Sequence, residues 1–261
     1  MGTLGERMKL YEEAFKYNLM PRTPIIIRVD GKAFHTFTRK MEKPWDPKLV
    51  QAFNDVVEVL IDQIQGCILA YHQSDEMTFV CLNDKTHETQ PFFANEVNKI
   101  NTICASTAAA VMTRSLMLLE GLPEGKIPAF DARCFCVPNE VEVYNNLVWR
   151  QQDAQRNAVS AWATEALGGG GRAAKLLHGK RREDRIAIAE EYTGRDYEAE
   201  VSSRFKHGKL WMRVWNGERC VWKSPMETPR WDVPHEDDAF SELHYTVAEC
   251  FNDYYEFPKE K

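Results

Sequence analysis

A predicted amphipathic helix between two short apolar strands constrains the fold of this chain more than any other feature. Ile25 to Asp30 is typical of a strand, and so is Cys67 to Tyr71. Between Asp46 and Gly66 apolar residues recur every three or four positions, with Asp46 as the N-cap and a proline in the first turn. A strand, a crossover helix and a strand in one sheet form a right-handed parallel pair. We therefore expect the carboxyl ends of both strands at one edge of the sheet.

The rest of the sequence predicts five further elements. They are a short helix from Tyr11 to Tyr17, a strand from Met77 to Leu82, a helix from about Phe92 to Leu119, a strand from Ala129 to Val137, and a helix that Asn139 caps and that continues through Trp149 or beyond. The order strand, helix, strand, strand, helix, strand predicts an α+β fold. It is typical of the split βαβ plan of ferredoxin-like and polymerase-palm domains, with a mixed antiparallel sheet, helices on one face and a C-terminal extension.

We divide the chain into three parts on this basis. Residues 1–150 are predicted to form a palm-like catalytic domain, and 151–215 a helical and β extension that completes it. Residues 216–261 are an acidic C-terminal extension whose role the sequence does not indicate.

The charge distribution leaves an RNA partner open although the formal net charge is −6. Residues 236–261 alone hold eight acids and two lysines, so the remaining 235 residues balance 31 bases against 31 acids. Bases gather in a run whose candidate RNA-binding members are Arg172, Lys175, Lys180, Arg181 and Arg182. Such a run binds RNA or forms a solvated helix face, and both readings stay open here.

The compartment is predicted from cysteine usage and hydropathy. Seven cysteines occur without CxxC pairs, which favours a reducing, cytoplasmic location. No run approaches the roughly 18 consecutive apolar residues of a membrane span, so we expect no membrane partner.

Acidic residues interrupt two of the predicted strands. Asp30-Gly31 ends the first strand, and Asp75 and Glu76 lie at the tip of the predicted HQSDE turn. Carboxylates that converge at one edge need a cation, and oxygen ligands without His or Cys neighbours favour Mg²⁺. Asp30 and Asp75 are the proposed bridging ligands of two Mg²⁺ ions, with the carbonyl of Gly31 as a further ligand. Two such ions suit nucleotidyl transfer. Taken separately, each acidic stretch is also an ordinary solvated turn.

The stretch from Asp30 to His35 offers backbone N–H groups beside Lys32 and His35, which suits a triphosphate. The GxxxxGK[ST] pattern is absent. Phosphate binding here would therefore depend on the metal and a turn.

Seven stretches carry a resemblance to a known family: RVDGKAFHTF, KPWD, YHQSDEMTFV, PAFDARCFCVPN, WRQQDAQRN, LHGK and RFKHGK. In this order they resemble the tRNA-histidine guanylyltransferase superfamily, and more closely its tRNA 5′-end repair branch, over about residues 6–215. The resemblance implies a palm that adds nucleotides in the 3′-to-5′ direction. ATP first activates the 5′ monophosphate of a tRNA, and the 3′-hydroxyl of an incoming nucleotide, usually GTP, then attacks it. A homotetramer is also implied.

The resemblance also implies roles for individual residues. Asp30, Gly31 and Asp75 match the Mg²⁺ ligands, and Glu76 matches a catalytic carboxylate beside them. The nucleotide-binding positions are Asp30, Gly31, Lys32, Ala33, Phe34, His35, Lys43, Ser74 and Asp75.

One departure bears on the substrate. Where histidine-tRNA enzymes carry HINNLYNT, this chain has AQRNAVSA at 154–161. We therefore favour template-directed restoration of truncated tRNA 5′ ends. The alternatives are addition of one guanylate to histidine tRNA, a palm-fold nucleotidyl cyclase, and an RNA-binding module without chemistry.

Overall fold

The computed structural model describes residues 2–216, 218–231 and 242–256; the rest of the predicted acidic extension lies outside the described residues. The helices are α1 (Leu4–Glu13), α2 (Phe34–Phe37), α3 (Pro47–Gln63), α4 (Val97–Leu118), α5 (Glu140–Ala166), α6 (Gly170–Leu177), α7 (Arg182–Thr193), α8 (Tyr197–Glu200), α9 (Ser203–His207) and α10 (Glu242–Glu256). The strands are β1 (Ile25–Gly31), β2 (Cys67–Gln73), β3 (Glu76–Cys81), β4 (Phe130–Cys136), β5 (Lys209–Trp215) and β6 (Cys220–Glu227). The fold is α+β.

The strands form one sheet in the order β4-β1-β3-β2-β5-β6, and every neighbouring pair is antiparallel. Because β3 lies between β1 and β2, these two strands run in the same direction and end at the same edge. The amide of Gly31 donates to the carbonyl of Asp75 at 3.0 Å, which joins the end of β1 to the β2–β3 connection. The predicted shared edge is confirmed.

Helix α3 forms where its spacing predicts it. The carboxylate of Asp46 accepts from the amides of Lys48 (2.9 Å) and Leu49 (3.3 Å), and Pro47 occupies the first turn. The apolar side of the helix, which includes Phe53 and Leu60, is buried against the sheet. Each such side chain contributes about 1.5–3 kcal/mol on burial, so this face fixes α3 in place.

Helices cover both faces of the sheet, and the prediction of helices on one face is wrong. Ile25, Ile27 and Val29 pack in the core that α3 and α4 complete. Ile26 points to the other face and packs with residues of α5 and α10. A continuous apolar run is typical of a strand that is buried on both faces, so both faces of β1 need a cover.

Two helices start at residues other than those predicted, and the first also ends earlier, at Glu13. Helix α1 begins at Leu4 rather than Tyr11, because Thr3 and Glu6 form a capping box. The long helix α4 begins at Val97, since Phe93 and Ala94 before it have left-handed backbone angles. Capping and backbone geometry therefore set both starts, rather than hydrophobic spacing.

The predicted division at residue 150 remains a prediction, and α5 runs through that position without a break. Downstream, Gly168 and Gly169 lie between α5 and α6, and Gly168, Gly169 and Gly170 all have positive φ. Beyond these glycines, β5 returns to pair with β2 in the main sheet. Within the described ranges, every helix is too short or too polar to traverse a lipid bilayer.

Candidate active site

The connection between β2 and β3 is shorter than predicted. Only Ser74 and Asp75 form it, and Ser74 has a φ of 52°. The Ser74 hydroxyl donates to Oδ1 of Asp75 at 3.0 Å, and Nε2 of His72 lies 3.0 Å from the Ser74 carbonyl. Glu76, which the sequence placed in the turn, belongs to β3 and is buried. Of the two adjacent acids, only Asp75 therefore lies in the turn at the edge of the sheet.

Asp30 and Asp75 lie close enough for their charges to interact. Burial raises the pKa of Asp75, and the negative charge of Asp30 raises it further. Burial also raises the pKa of Asp30, as does Asp131, which is opposite it on β4. The charges of Arg28, Arg133 and Arg150 only partly oppose the shift at Asp30, so a further cation at this edge would favour ionisation of both carboxylates.

Glu76 is engaged by arginine instead. Its Oε1 accepts from Nε of Arg150 in α5 at 2.6 Å, and its Oε2 lies 3.8 Å from Nε of Arg28. Burial raises the pKa of Glu76, and the charge of Arg150 opposes that shift. In the three described segments, no group of three or more His, Cys, Asp or Glu side chains could hold a metal. Among these acids, Asp30 and Asp75 are left as the pair available to an ion.

A cavity of about 450 Å³ opens beside this edge. Of the predicted nucleotide-binding residues, Gly31, Ala33, Phe34, His35, Lys43, Ser74 and Asp75 line it, whereas Asp30 and Lys32 do not. Aromatic residues line it too: the rings of Trp45 and Phe205 stack at 4.0 Å, and Phe53 stacks on His72 at 4.8 Å. The cavity thus combines an acidic edge with an apolar, aromatic wall, a common composition for a ligand site.

The turn after Asp30 offers fewer backbone donors than predicted. The Gly31 amide is bonded to Asp75, and the Lys32 amide donates to Ala129 at 2.8 Å. Phosphate contacts from backbone amides can therefore begin only at Ala33, which has a φ of 53°. A Cβ at Gly31 would collide with the ring of Phe34, so glycine at this position lets Phe34 fill the core beneath the cavity.

Comparison with known proteins identifies the family. The profile described as Thg1: tRNAHis guanylyltransferase matches residues 5–138, about half of the chain. The chain belongs to the tRNA-histidine guanylyltransferase family. It is 29% identical over 215 residues to the tRNA(His) guanylyltransferase of Schizosaccharomyces pombe, covering 80% of this chain and 79% of that one. The reaction class is therefore nucleotidyl transfer.

Two solved structures are similar to the whole fold. A bacterial tRNA(His) guanylyltransferase-like protein in complex with ATP has a TM-score of 0.77 and 32% identity, covering 87% of this chain and 94% of that one. A bacterial protein of the same description in complex with GTP has a TM-score of 0.68 and 31% identity, covering 88% and 93%.

Arg150, which bonds to Glu76, was not among the predicted site residues. It lies on the buried side of α5 with Leu147 and Val143, which precede it by three and seven positions. A charged residue in a buried stripe indicates a buried carboxylate partner, and that signal was present in the sequence. Which carboxylate it meets depends on how α5 packs. Asn157, Arg204 and Lys209 also line the cavity and were not predicted.

The predicted basic run divides into two groups. Arg182 donates to the side chain of Gln155, and Nη1 of Arg185 donates to Ser160 at 2.9 Å, so these arginines attach α7 to α5. Four of the predicted residues are exposed, namely Arg172, Lys175, Lys180 and Arg181. These four remain candidates for RNA contact.

Acid sensitivity is predicted for His72, which is buried in the wall of the cavity. Burial lowers its pKa from 6.5 to about 3. The folded protein keeps this ring neutral, while the unfolded chain binds a proton below pH 6.5. The neutral His72 ring therefore makes its full contribution to the free energy of unfolding above pH 6.5. Below that pH the free energy of unfolding falls by up to about 1.4 kcal/mol per pH unit.

The measurement is urea unfolding of the parent protein and of His72→Gln between pH 7 and pH 4.5. Glutamine keeps an N–H donor for the Ser74 carbonyl but does not titrate. We expect the parent to lose stability relative to the variant as the pH falls. Parallel curves for the two proteins would contradict the prediction.

Proposed function

We propose that this chain is a Mg²⁺-dependent 3′-to-5′ nucleotidyltransferase that restores the 5′ end of tRNA, using its sheet as a polymerase palm. The observation that carries the proposal is the edge where Asp30 and Asp75 interact beside a cavity of about 450 Å³. ATP would activate the 5′ monophosphate, and GTP or another paired nucleotide would then be added. The solved complexes of similar proteins with ATP and with GTP support both nucleotides.

The residues at this edge fit Mg²⁺. Asp30, Asp75 and the Gly31 carbonyl supply hard oxygen donors, and both carboxylates have raised pKa values that a cation would relieve. Bound Mg²⁺ supplies charge neutralisation on the phosphates and activation of the attacking hydroxyl. Mg²⁺ sites commonly use one or two carboxylates together with substrate phosphates, so two acids suffice here.

Repair is favoured over addition of one guanylate by the wall that α5 contributes. Ala154, Asn157, Ala158 and Ala161 line the cavity, and three of these four side chains are methyl groups. Alanine side chains form no hydrogen bonds, so this wall has few groups that could distinguish one base from another. Pairing with the opposite RNA strand would then choose the nucleotide, while the protein contacts RNA shape and backbone.

The deciding experiment offers labelled 5′-monophosphorylated tRNA lacking its first one or two nucleotides, with ATP, all four nucleoside triphosphates and Mg²⁺. We expect the 5′ end to grow only by nucleotides that pair with the 3′ strand, and to stop at full length. Addition of a single guanylate regardless of the opposite base would favour the histidine-tRNA reaction. Pyrophosphate released from nucleotide alone would indicate a cyclase, and tRNA binding without any incorporation would indicate a binding module.

A homotetramer in the cytoplasm is part of the proposal. Self-association is supported by α1, in which none of the residues is buried. Leu4, Met8 and Tyr11 recur at four and three positions along α1 and are exposed. This spacing forms one apolar stripe, which suits packing against a second copy of the chain.

The exposed part of the basic run yields a prediction about RNA affinity. Replacing Lys180 and Arg181 together by alanine is expected to weaken tRNA binding and to lower the slope of log K against log salt. Each lost phosphate contact lowers that slope by about 0.7–0.9. Arg182 is left intact because it bonds to Gln155 of α5.

Filter binding at several salt concentrations measures that slope. The control replaces two exposed cationic residues at edge strand β6, Arg219 and Lys223, by alanine. If both double variants have the parent slope, Lys180 and Arg181 belong to a solvated part of the α6–α7 connection.

A further inference from the structure

Two cations line the candidate cavity without a carboxylate partner. Arg204 belongs to α9, and Lys209 begins β5 directly opposite His72. Both side chains line the cavity that contains Asp75. Within the described parts of the chain, no Asp or Glu forms an ion pair with either of them.

Neutral groups hold these charges in place. Lys209 is only 7% exposed, and its Nζ lies 3.5 Å from Oδ1 of Asn54. The guanidinium of Arg204 lies 5.5 Å from the ring centre of Phe205, and its buried Nη2 has no hydrogen-bond partner. An unpaired charge and an unpaired donor are both unfavourable when buried. A ligand that supplies negative charge would compensate both.

The electrostatics agree with the geometry. Burial lowers the pKa of Lys209, and repulsion from Arg204 lowers it further, while the charges of Glu227 and Glu58 partly oppose the shift. Burial also lowers the pKa of Arg204, and the charge of Glu227 only partly opposes that shift. Two mutually repelling cations in one wall are stabilised by a group with net negative charge more than by a neutral base carbonyl.

Residues of the short segment from Arg204 to Lys209 line two different cavities. Lys206 and His207 line a separate cavity of about 250 Å³, where Lys206 is paired with Glu198. Arg204 and Lys209, on either side of them, line the active-site cavity. The segment thus offers an internal comparison between a lysine with a carboxylate partner and one without.

We propose that Arg204 and Lys209 form a phosphate-binding subsite in the active-site cavity, in addition to the carboxylate edge at Asp75. Arginine and lysine are the usual cationic ligands of phosphate. The phosphate belongs either to the incoming nucleoside triphosphate or to the 5′ end of the RNA. This inference rests on the proposed function for its substrates, but phosphate binding itself can be measured without turnover.

The test uses Lys209→Met and Arg204→Met in the full chain, with Lys206→Met as the matched control. Tripolyphosphate binding is measured by calorimetry without Mg²⁺, and binding of short RNA with a 5′ phosphate or a 5′ hydroxyl is measured by titration. We expect each of the two subsite variants to weaken binding of at least one phosphate probe by about tenfold or more. The control should stay within about twofold of the parent.

Thermal unfolding separates ligand binding from a structural role. Removing an unpaired buried charge should leave the melting temperature of the ligand-free protein unchanged or raise it, while the stabilisation by the phosphate probe is lost. Lys209→Arg and Arg204→Lys keep the charge and should retain most of the probe binding. Should a methionine variant fail to fold, Lys209→Gln or Arg204→Gln replaces it in the same comparison.

The two sources of phosphate are distinguished by which probe loses affinity. Weaker tripolyphosphate binding and a higher KM for GTP assign the subsite to the nucleotide. Loss of the preference for 5′-phosphate over 5′-hydroxyl RNA assigns it to the RNA end. Folded charge-removing variants that bind both phosphate probes like the parent overturn the proposal, as does a parent that binds neither. Nucleotide addition by the parent, measured separately, decides whether the proposed function survives that result.

Discussion

Replacing Asp75 by asparagine is expected to lower nucleotide addition to tRNA by about a thousandfold or more, and Asp30→Asn should do the same. Both carboxylates lie at the edge where β1 and the β2–β3 connection meet, and they are close enough to raise the pKa of Asp75. If Asp30 and Asp75 hold Mg²⁺ as proposed, losing either carboxylate would weaken binding of an ion that supplies charge stabilisation in such reactions. The measurement is single-turnover incorporation into 5′-truncated tRNA at saturating nucleotide.

The matched control is Asp131→Asn. Asp131 lies directly opposite Asp30 on β4, but its side chain is 55% exposed and pairs with Arg133 at 2.8 Å. We expect the control to retain activity within about threefold, because an exposed ion pair contributes little. Near-normal incorporation by Asp75→Asn or Asp30→Asn would remove the basis of the proposed site. An inactive Asp131→Asn would instead extend the acidic site to β4.

The edge itself could be predicted because its causes are local or topological. The spacing of apolar residues and the Asp46 cap define α3 from a stretch of sequence alone. The right-handed crossover rule then brings the ends of β1 and β2 together. No further information was needed to predict that Asp30 and Asp75 lie at the same edge of the sheet.

Glu76 could not be placed in this way. The sequence grouped it with Asp75 because polar residues usually mark a turn, yet β2 and β3 continue through polar residues whose partners come from α5. Gln73 accepts from Nδ2 of Asn157 at 3.3 Å, and Glu76 accepts from Arg150, 74 residues away. Those partners exist only because α5 packs on the second face of the sheet, and the sequence reading left that face uncovered.

The largest stability effect is expected from breaking the buried pair between Glu76 and Arg150. Both side chains are below 10% exposed, and Arg150 also bonds to Asp153 at 2.7 Å. Arg150→Met should lower the free energy of unfolding by about 3–5 kcal/mol, because it leaves Glu76 buried with only the more distant Arg28 as a cation. Urea unfolding at pH 7 measures this loss.

A second arginine on the same helix provides the control. Arg156 also bonds to Asp153 at 2.7 Å, but its side chain is 57% exposed. Arg156→Met should therefore cost less than about 1 kcal/mol. Equal losses for Arg150→Met and Arg156→Met would mean that burial of the Glu76 pair has no particular weight in this fold.

The double variant Glu76→Gln with Arg150→Met separates folding from chemistry. In the double variant neither Glu76 nor Arg150 remains as a buried charge without its partner. Most of the free energy of unfolding that Arg150→Met loses should therefore be recovered. If Glu76 is also the catalytic carboxylate, the double variant should fold normally yet stay as inactive as Glu76→Gln alone. Recovery of activity together with stability would instead mean that Glu76 acts only by anchoring α5 to the sheet beside Asp30 and Asp75.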